Sequence, residues 1–147
     1  MVLGNKKATT AKLRSAAFKR VRADHSAELA GDYVEMIADL IDERGEARCT
    51  DIAMRLGVAN ATVVKTLKRL TDQGLVTQEP YRAIFLTGEG WKMADDSRRK
   101  HVIVENFLLA LGVCADTARI DSEGIEHHVS ADTLKAMARF VNRNSKL

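Results

Sequence analysis

The chain has 147 residues, 46% of them apolar, and a formal net charge of +3. This length and composition suit one globular domain, or two small domains that share a core. The longest strongly apolar run, residues 107–111, is far too short to span a membrane, and no signal-peptide core follows the basic N-terminus. We therefore expect a cytoplasmic protein with no membrane partner.

The composition favours helices. The sequence holds one Pro, nine Gly and few aromatic residues, and long stretches are rich in Ala, Leu, Glu, Lys and Arg. Its two cysteines, Cys49 and Cys114, are far apart and form no C-x-x-C pattern, which indicates free thiols in a reducing compartment.

The first 23 residues form a basic arm. They contain no acidic residue and seven basic ones, Lys6, Lys7, Lys12, Arg14, Lys19, Arg20 and Arg22. Such an arm is typical of a disordered, solubilising terminus, but it would also be attracted to a polyanion such as nucleic acid. Both interpretations stay open.

A first amphipathic helix is predicted from about Ser26 to Arg44, because apolar residues recur there at steps of three and four. Gly45 ends it, and Phe18 and Val21 suggest an earlier start. Asp32 and Glu35 are spaced i, i+3, so their carboxylates can converge on one object. Isolated acids on a helix more often face solvent.

Residues 49–76 predict a helix-turn-helix. A short helix ends at Gly57, and a second helix opens near Asn60 and buries Val63, Leu67 and Leu70. We expect the outer face of the second helix to contact base edges and phosphates. That face carries Asn60, Thr62, Lys65, Thr66, Lys68 and Arg69. The alternative is a helical hairpin with a basic, solvated surface.

The segment LVTQEPYRAIFLT predicts a β-hairpin around the turn Glu79-Pro80-Tyr81-Arg82. A hairpin directly after a recognition helix is typical of a winged helix. Arg82 at the tip would then lie beside a phosphate backbone, although a lone exposed Arg often has no such role.

The C-terminal third predicts three helices. The first starts around Gly90 and is apolar on nearly every face from Val102 to Leu111, which favours burial in a subunit interface. His101 lies at its polar beginning. A second helix is predicted over residues 115–129, and Ser130 is an N-cap for the last one. The apolar side of that last helix consists of Leu134, Met137, Phe140 and Val141.

Residues 123–128 read EGIEHH. If this stretch is helical, Glu126 and His127 lie about 60° and about 40° to either side of Glu123, whereas His128 points elsewhere. Carboxylates held side by side repel each other, and a fold tolerates such a pair best when a cation sits between them. A polar helix face and a metal site both remain open interpretations.

Together, DYVEMI in the first helix, the winged helix, R-K-H before an apolar helix, and EGIEHH resemble the diphtheria-toxin-repressor family, and within it the manganese transport regulators. The resemblance runs from about residue 24 to residue 142. It implies a mainly α fold, with a winged helix-turn-helix at residues 24–95 and an all-α dimerisation and metal-binding domain at residues 96–147, preceded by the arm at 1–23.

In that family two metal ions bind between the two domains. Carried over by position, the implied ligands are Asp32, Glu35, His101, Glu123, Glu126 and His127, while Glu105 and His128 match no ligand position. Iron-responsive relatives have a Met and a Cys where this sequence has Asp32 and Glu123. Oxygen and imidazole ligands without sulfur also suit Mn²⁺, although Fe²⁺ or other divalent ions are possible.

The resemblance implies a manganese-responsive repressor that binds a palindromic DNA operator as a homodimer, controls manganese uptake, and has no enzymatic activity or small-molecule substrate. The alternatives are a winged-helix regulator that responds to iron or another effector or to none, a two-metal hydrolase, and a packaging protein that uses the basic arm. Against the hydrolase, the sequence contains no H-E-x-x-H motif.

Overall fold

The computed structural model describes residues 3–79 and 82–145, apart from the side chains of residues 3–8 and 21–24. Its elements are α1 (Leu3–Arg44), α2 (Cys49–Leu56), α3 (Asn60–Asp72), β1 (Val76–Gln78), β2 (Ile84–Leu86), α4 (Gly88–Ala110), α5 (Ala115–Ile125) and α6 (Ala131–Asn144). The predicted fold, a winged helix-turn-helix followed by a helical domain, is confirmed. Outside the description lie Pro80 and Tyr81 of the predicted turn and the side chains of Lys6, Lys7, Val21 and Arg22.

Helix α1 is much longer than predicted. It spans 42 residues, so the expectation of a disordered arm is wrong. Residues 3–23 form the N-terminal half of a continuous helix, and the side chains from residue 9 to residue 20 are exposed. The cause lies in the composition, because residues 5–30 contain neither Gly nor Pro and are rich in Ala, Lys and Arg. The helix ends as predicted at Gly45, which has a φ of 80°.

The helix-turn-helix forms as the sequence indicates. Gly57 adopts a left-handed conformation with φ 67° and ends α2, and α3 begins at Asn60. The apolar residues of α3, Val63, Leu67 and Leu70, are fully buried. They pack in one core with the buried face of α1, which includes Val34 and Ile37.

The wing is a two-stranded antiparallel sheet in which Val76 pairs with Leu86 and Gln78 with Ile84. Ile84 also forms an isolated bridge with Ala47, which fixes the base of the wing to the start of the helix-turn-helix. The wing then leads into α4 through Thr87, whose hydroxyl accepts a hydrogen bond from the Gly90 amide at 3.1 Å.

Helix α4 packs against α1, α5 and α6 and so joins the two halves of the fold. Helix α5 is shorter than the predicted span of residues 115–129: it ends at Ile125, and Glu126, its C-cap, is followed by a turn. The turn is closed by the His128 amide, which donates to the Ile125 carbonyl at 3.0 Å. Ser130 caps α6 as predicted, accepting a hydrogen bond from the Thr133 amide at 3.2 Å.

Candidate metal centre

One face of α1 carries a row of ionisable side chains at alternating steps of three and four residues, which places them on one line along the helix. The row consists of His25, Glu28, Asp32, Glu35, Asp39 and Asp42. At its C-terminal end, Arg98 of α4 donates to Asp39 at 2.5 Å and to Asp42 at 3.1 Å. Arg98 therefore neutralises this end of the row and ties α4 to α1.

The middle of the row faces His101 and the turn after α5. His101 Nδ1 lies 2.9 Å from Glu126 Oε2 and 3.5 Å from Glu123 Oε1. Ligand atoms of these three residues all lie within 4.8 Å of one another. We call His101, Glu123 and Glu126 the inner group.

A second group lies beside the first. His127 Nε2 lies 3.2 Å from Asp32 Oδ1, and ligand atoms of Glu28, Asp32 and His127 are again within 4.8 Å of one another. We call these three residues the outer group. Glu126 connects the groups, because its other oxygen, Oε1, lies 3.4 Å from His127 Nε2.

Burial shapes the electrostatics of both groups. Only 2% of the Glu126 side chain is exposed, and burial raises its pKa to about 7, against the opposing effect of the two imidazoles. Glu35 lines a cavity together with Glu123, and burial, then the charge of Glu123, raise the pKa of Glu35. A hydrogen bond to Asp32 raises the pKa of His127.

This donor set fits divalent cations. Ligands bonded to one such ion at about 2.0–2.2 Å lie roughly 3–4 Å apart. The ligand atoms of each group lie within 4.8 Å of one another, so small side-chain movements would let them share an ion. Crowded carboxylates that resist ionisation in the metal-free chain are also the kind of site that a cation stabilises. The fold places five of the six predicted ligands in the two groups: Asp32 from α1, His101 from α4, and Glu123, Glu126 and His127 from the end of α5. Glu35 of α1 is in neither group but lines a cavity together with Asp32 and Glu123.

Two acids near the centre are not among the predicted ligands: Glu28 was missed in the sequence, and Glu105 was considered but matched no ligand position. Glu28 joins the outer group, and its i, i+4 spacing from Asp32 on the same helix was the available signal. Glu105 lies one turn after His101, with Oε2 3.2 Å from His101 Nε2. Because Nδ1 faces the inner group, Glu105 can accept the proton on Nε2 and so fix the ring orientation, as a partner of a metal-bound imidazole commonly does.

The surface expected to contact DNA is largely exposed on α3. Asn60, Thr62, Lys65, Lys68 and Arg69 are all exposed, as predicted.

Thr66 does not lie on the outer face of α3, where it was predicted. It is 8% exposed, and its hydroxyl donates to the Thr62 carbonyl at 3.0 Å, so it belongs to the core side of the helix. Conversely, Val64 is 57% exposed on the outer face and was overlooked because it is apolar. An exposed Val can contact a thymine methyl group.

Arg82 is exposed at the wing, where its guanidinium lies 2.8 Å from Glu79. That pair is itself exposed and therefore weak, so it leaves Arg82 free to exchange Glu79 for a phosphate.

The C-terminal helices expose apolar side chains that a single chain leaves uncovered. They include Val102, Leu109, Leu111, Ile120 and Phe140, which are between 38% and 68% exposed. Val104 is fully buried, so the apolar segment of α4 is shared between the chain's own core and its surface. A surface of this kind suits a subunit interface.

A winged helix joined to a helical module, with imidazoles and carboxylates clustered between them, defines a DNA-binding protein of the metal-responsive class. Residues 26–84 match the iron dependent repressor N-terminal DNA binding domain, and residues 87–146 match the iron dependent repressor metal binding and dimerisation domain. The chain belongs to the iron dependent repressor family. In the described part of the chain, no helix combines the length and the apolar character that a membrane crossing requires.

Two relatives of known role, both transcriptional regulators, agree with this family assignment. The transcriptional regulator MntR of Escherichia coli O6:H1 is 55% identical over 127 residues, which cover 86% of this chain and 82% of the relative. The regulator MntR of Geobacillus kaustophilus is 36% identical, covering 75% and 78%.

Two solved structures share the fold at 28% identity. They are the manganese regulator SloR, with a TM-score of 0.67, and a manganese-dependent transcriptional repressor in complex with manganese, with a TM-score of 0.69. Each match covers 77% of this chain, and the chain spans about half the length of those two proteins, 53% and 52%.

Proposed function

We propose that the protein is a manganese-responsive transcriptional repressor that binds a palindromic operator as a metal-loaded homodimer, controls manganese uptake, and catalyses no reaction. The observation that carries this proposal is the convergence of His101, Glu126, His127 and Asp32 from separate elements at the junction of the DNA-binding and dimerisation domains. The manganese-dependent relatives support the choice of ion.

Two ions per subunit are proposed, one at the inner group with Glu35, and one at the outer group, with Glu126 shared between them. The proposed ligands are the six predicted residues, Asp32, Glu35, His101, Glu123, Glu126 and His127, and Glu28 of the outer group lies beside them. The set contains oxygen and imidazole nitrogen, which suit Mn²⁺, and it lacks the sulfur ligands that softer ions prefer. When bound, divalent ions supply the positive charge that lets these crowded carboxylates ionise together.

The proposed link between sensing and DNA binding runs through α1. On one face Asp32 and Glu35 reach toward the metal centre, and on another Val34 and Ile37 are buried in the core that holds α3. Drawing Asp32 and Glu35 toward His101 and His127 therefore sets the position of the recognition helix relative to α4. In a dimer this position sets the separation of two recognition helices, which read successive major grooves when they lie about 34 Å apart.

The DNA-binding unit is proposed to extend over residues 24–95 and the dimerisation unit over residues 96–147. Contacts to the operator are assigned to Asn60, Thr62, Lys65, Lys68, Arg69 and Arg82. In this proposal the metal-loaded protein binds operator DNA more tightly than the metal-free protein. Thermodynamic linkage then requires that operator DNA strengthen metal binding by the same factor.

The test is a DNA-binding titration on a candidate palindrome with Mn²⁺, Fe²⁺, Zn²⁺ or chelator, for the parent and for Asp32→Ala and Glu123→Ala. We expect Mn²⁺ to tighten binding in the parent and not in either variant. Asp116→Ala is the matched control, because this α5 carboxylate is 90% exposed and away from both groups, and it should behave as the parent. Equal affinity with Mn²⁺ and with chelator in the parent would refute the proposal.

A further inference from the structure

A third set of ligand-type side chains lies at the outer edge of the metal centre. On α1, His25 and Glu28 are spaced i, i+3, and His128 approaches them from the turn after α5. Glu28 Oε2 lies 3.7 Å from His25 Nδ1 and 3.6 Å from His128 Nε2. Neither imidazole belongs to the inner or the outer group.

These distances do not describe hydrogen bonds, which join nitrogen and oxygen at about 2.7–3.2 Å. They are close to the separation of two ligands on one tetrahedral ion, which is about 3.4 Å for bonds of 2.0–2.1 Å. Glu28 approaches both imidazoles, and two imidazoles with one carboxylate are a donor set typical of zinc.

The position is accessible. The His25 side chain is 85% exposed, the His128 side chain 48% and the Glu28 side chain 25%, so an ion can enter from solvent and complete its coordination with water. Glu28 can serve two positions with its two oxygens, because its carboxylate also belongs to the outer group with Asp32 and His127.

We propose that His25, Glu28 and His128 form a third cation position, adjacent to the outer group, that takes a borderline ion such as Zn²⁺ or Co²⁺ in preference to Mn²⁺. Nitrogen-rich sites bind Zn²⁺ and Co²⁺ more tightly than Mn²⁺, following the general order of divalent affinities. The inference rests on the proposed function only for the number of ions already held at the inner and outer groups. His25 itself precedes the residues that match either family domain, which begin at residue 26.

The experiment counts bound ions by equilibrium dialysis and metal analysis of the full chain, with Zn²⁺ alone or Mn²⁺ alone. The parent is compared with the double variant His25→Gln/His128→Gln, and Asp116→Asn serves as a control that removes an exposed carboxylate from α5. We expect the parent and the control to bind one Zn²⁺ more per chain than the double variant. The number of Mn²⁺ bound and the Mn²⁺-dependent affinity for DNA should be the same in all three.

A second readout uses Co²⁺, whose tetrahedral complexes absorb visible light strongly. The parent should show this absorption, and the double variant should lose it. The proposal is overturned if the double variant binds as many Zn²⁺ as the parent, or if it loses bound Mn²⁺, since the two histidines would then belong to the regulatory site. A parent that binds Zn²⁺ in the expected number but shows no metal-dependent DNA affinity would overturn the proposed function and leave the third position standing.

Discussion

Replacing Glu126 by Gln should separate the stability of the metal-free fold from the stabilisation that metal provides. The Glu126 carboxylate is 2% exposed and is the group shared by the inner and outer groups. Gln has the same shape and still hydrogen-bonds, but it has no charge and is a much poorer ligand for Mn²⁺ than a carboxylate. The substitution therefore removes the shared ligand and leaves no cavity.

The size of the expected change in stability follows from two opposing effects, one in the metal-free protein and one with Mn²⁺ bound. Raising the pKa of Glu126 from 4.5 to about 7 corresponds to about 3 kcal/mol in favour of the neutral form. Because the folded pKa is above the unfolded value, this cost is absent below pH 4.5 and is complete above pH 7. Without metal at pH 7.5, Glu126→Gln should therefore be at least as stable as the parent, and at pH 4 the two should be equal.

With Mn²⁺ present the order reverses. A ligand at about 100 times its Kd stabilises the folded state by about 2.7 kcal/mol. For a chain of this length that corresponds to a rise in Tm of about 8 °C. The parent and the Asp116→Asn control should show this rise, and Glu126→Gln should lose most of it.

Thermal unfolding followed by circular dichroism, with chelator and with Mn²⁺, measures both effects. A Glu126→Gln variant that retains the full Mn²⁺-induced rise would show that the shared carboxylate is not a ligand. A variant clearly less stable than the parent in chelator at pH 7.5 would show that burial of the charged form is not costly.

Three further substitutions test other contacts. Gly90→Ala should lower the free energy of unfolding in urea by about 3 kcal/mol or more, because its Cβ would lie 2.0 Å from a backbone carbonyl oxygen. The Cβ of the control Gly124→Ala meets nothing within 4 Å, so this variant should be close to neutral, and equal effects of the two substitutions would contradict the packing at α4. Glu105→Gln should weaken Mn²⁺ binding about 10- to 100-fold by calorimetry without changing the number of ions, and an unchanged affinity would mean that this acid does not orient His101. Leu109→Asp, at a side chain that is 40% exposed, should shift the chain toward monomer in analytical ultracentrifugation, and an undisturbed dimer would place the subunit interface elsewhere.

Much of the architecture could be predicted because it depends on local periodicity. The turn at Gly57 and the start of α3 at Asn60 follow from residue spacing and from one glycine with a positive φ. Thr66 shows the limit of sorting residues by polarity. On a helix it lies about 40° from Leu70 and about 60° from Val63, which is the core side, and its hydroxyl is satisfied by the backbone there.

The proposed ligand set depends on the family resemblance, because residue spacing can relate only side chains on the same helix. Bringing His101 beside Glu126 depends on how α4 packs on α5, which no local pattern encodes. The same holds for Arg98, whose contacts with Asp39 and Asp42 cross between helices far apart in sequence. The end of α5 at Ile125 was missed because a helical turn and the turn that follows it look alike in composition.

Helix α1 serves two purposes along its length. Val34 and Ile37 are buried in the core with the helix-turn-helix, while Asp32 and Glu35, one or two residues away, are proposed metal ligands. The Mn²⁺ concentration at which the repressor switches genes off then depends partly on side-chain volume in the core. A conservative change such as Ile37→Val could retune that threshold in a regulator whose ligands and DNA-contacting residues are all intact.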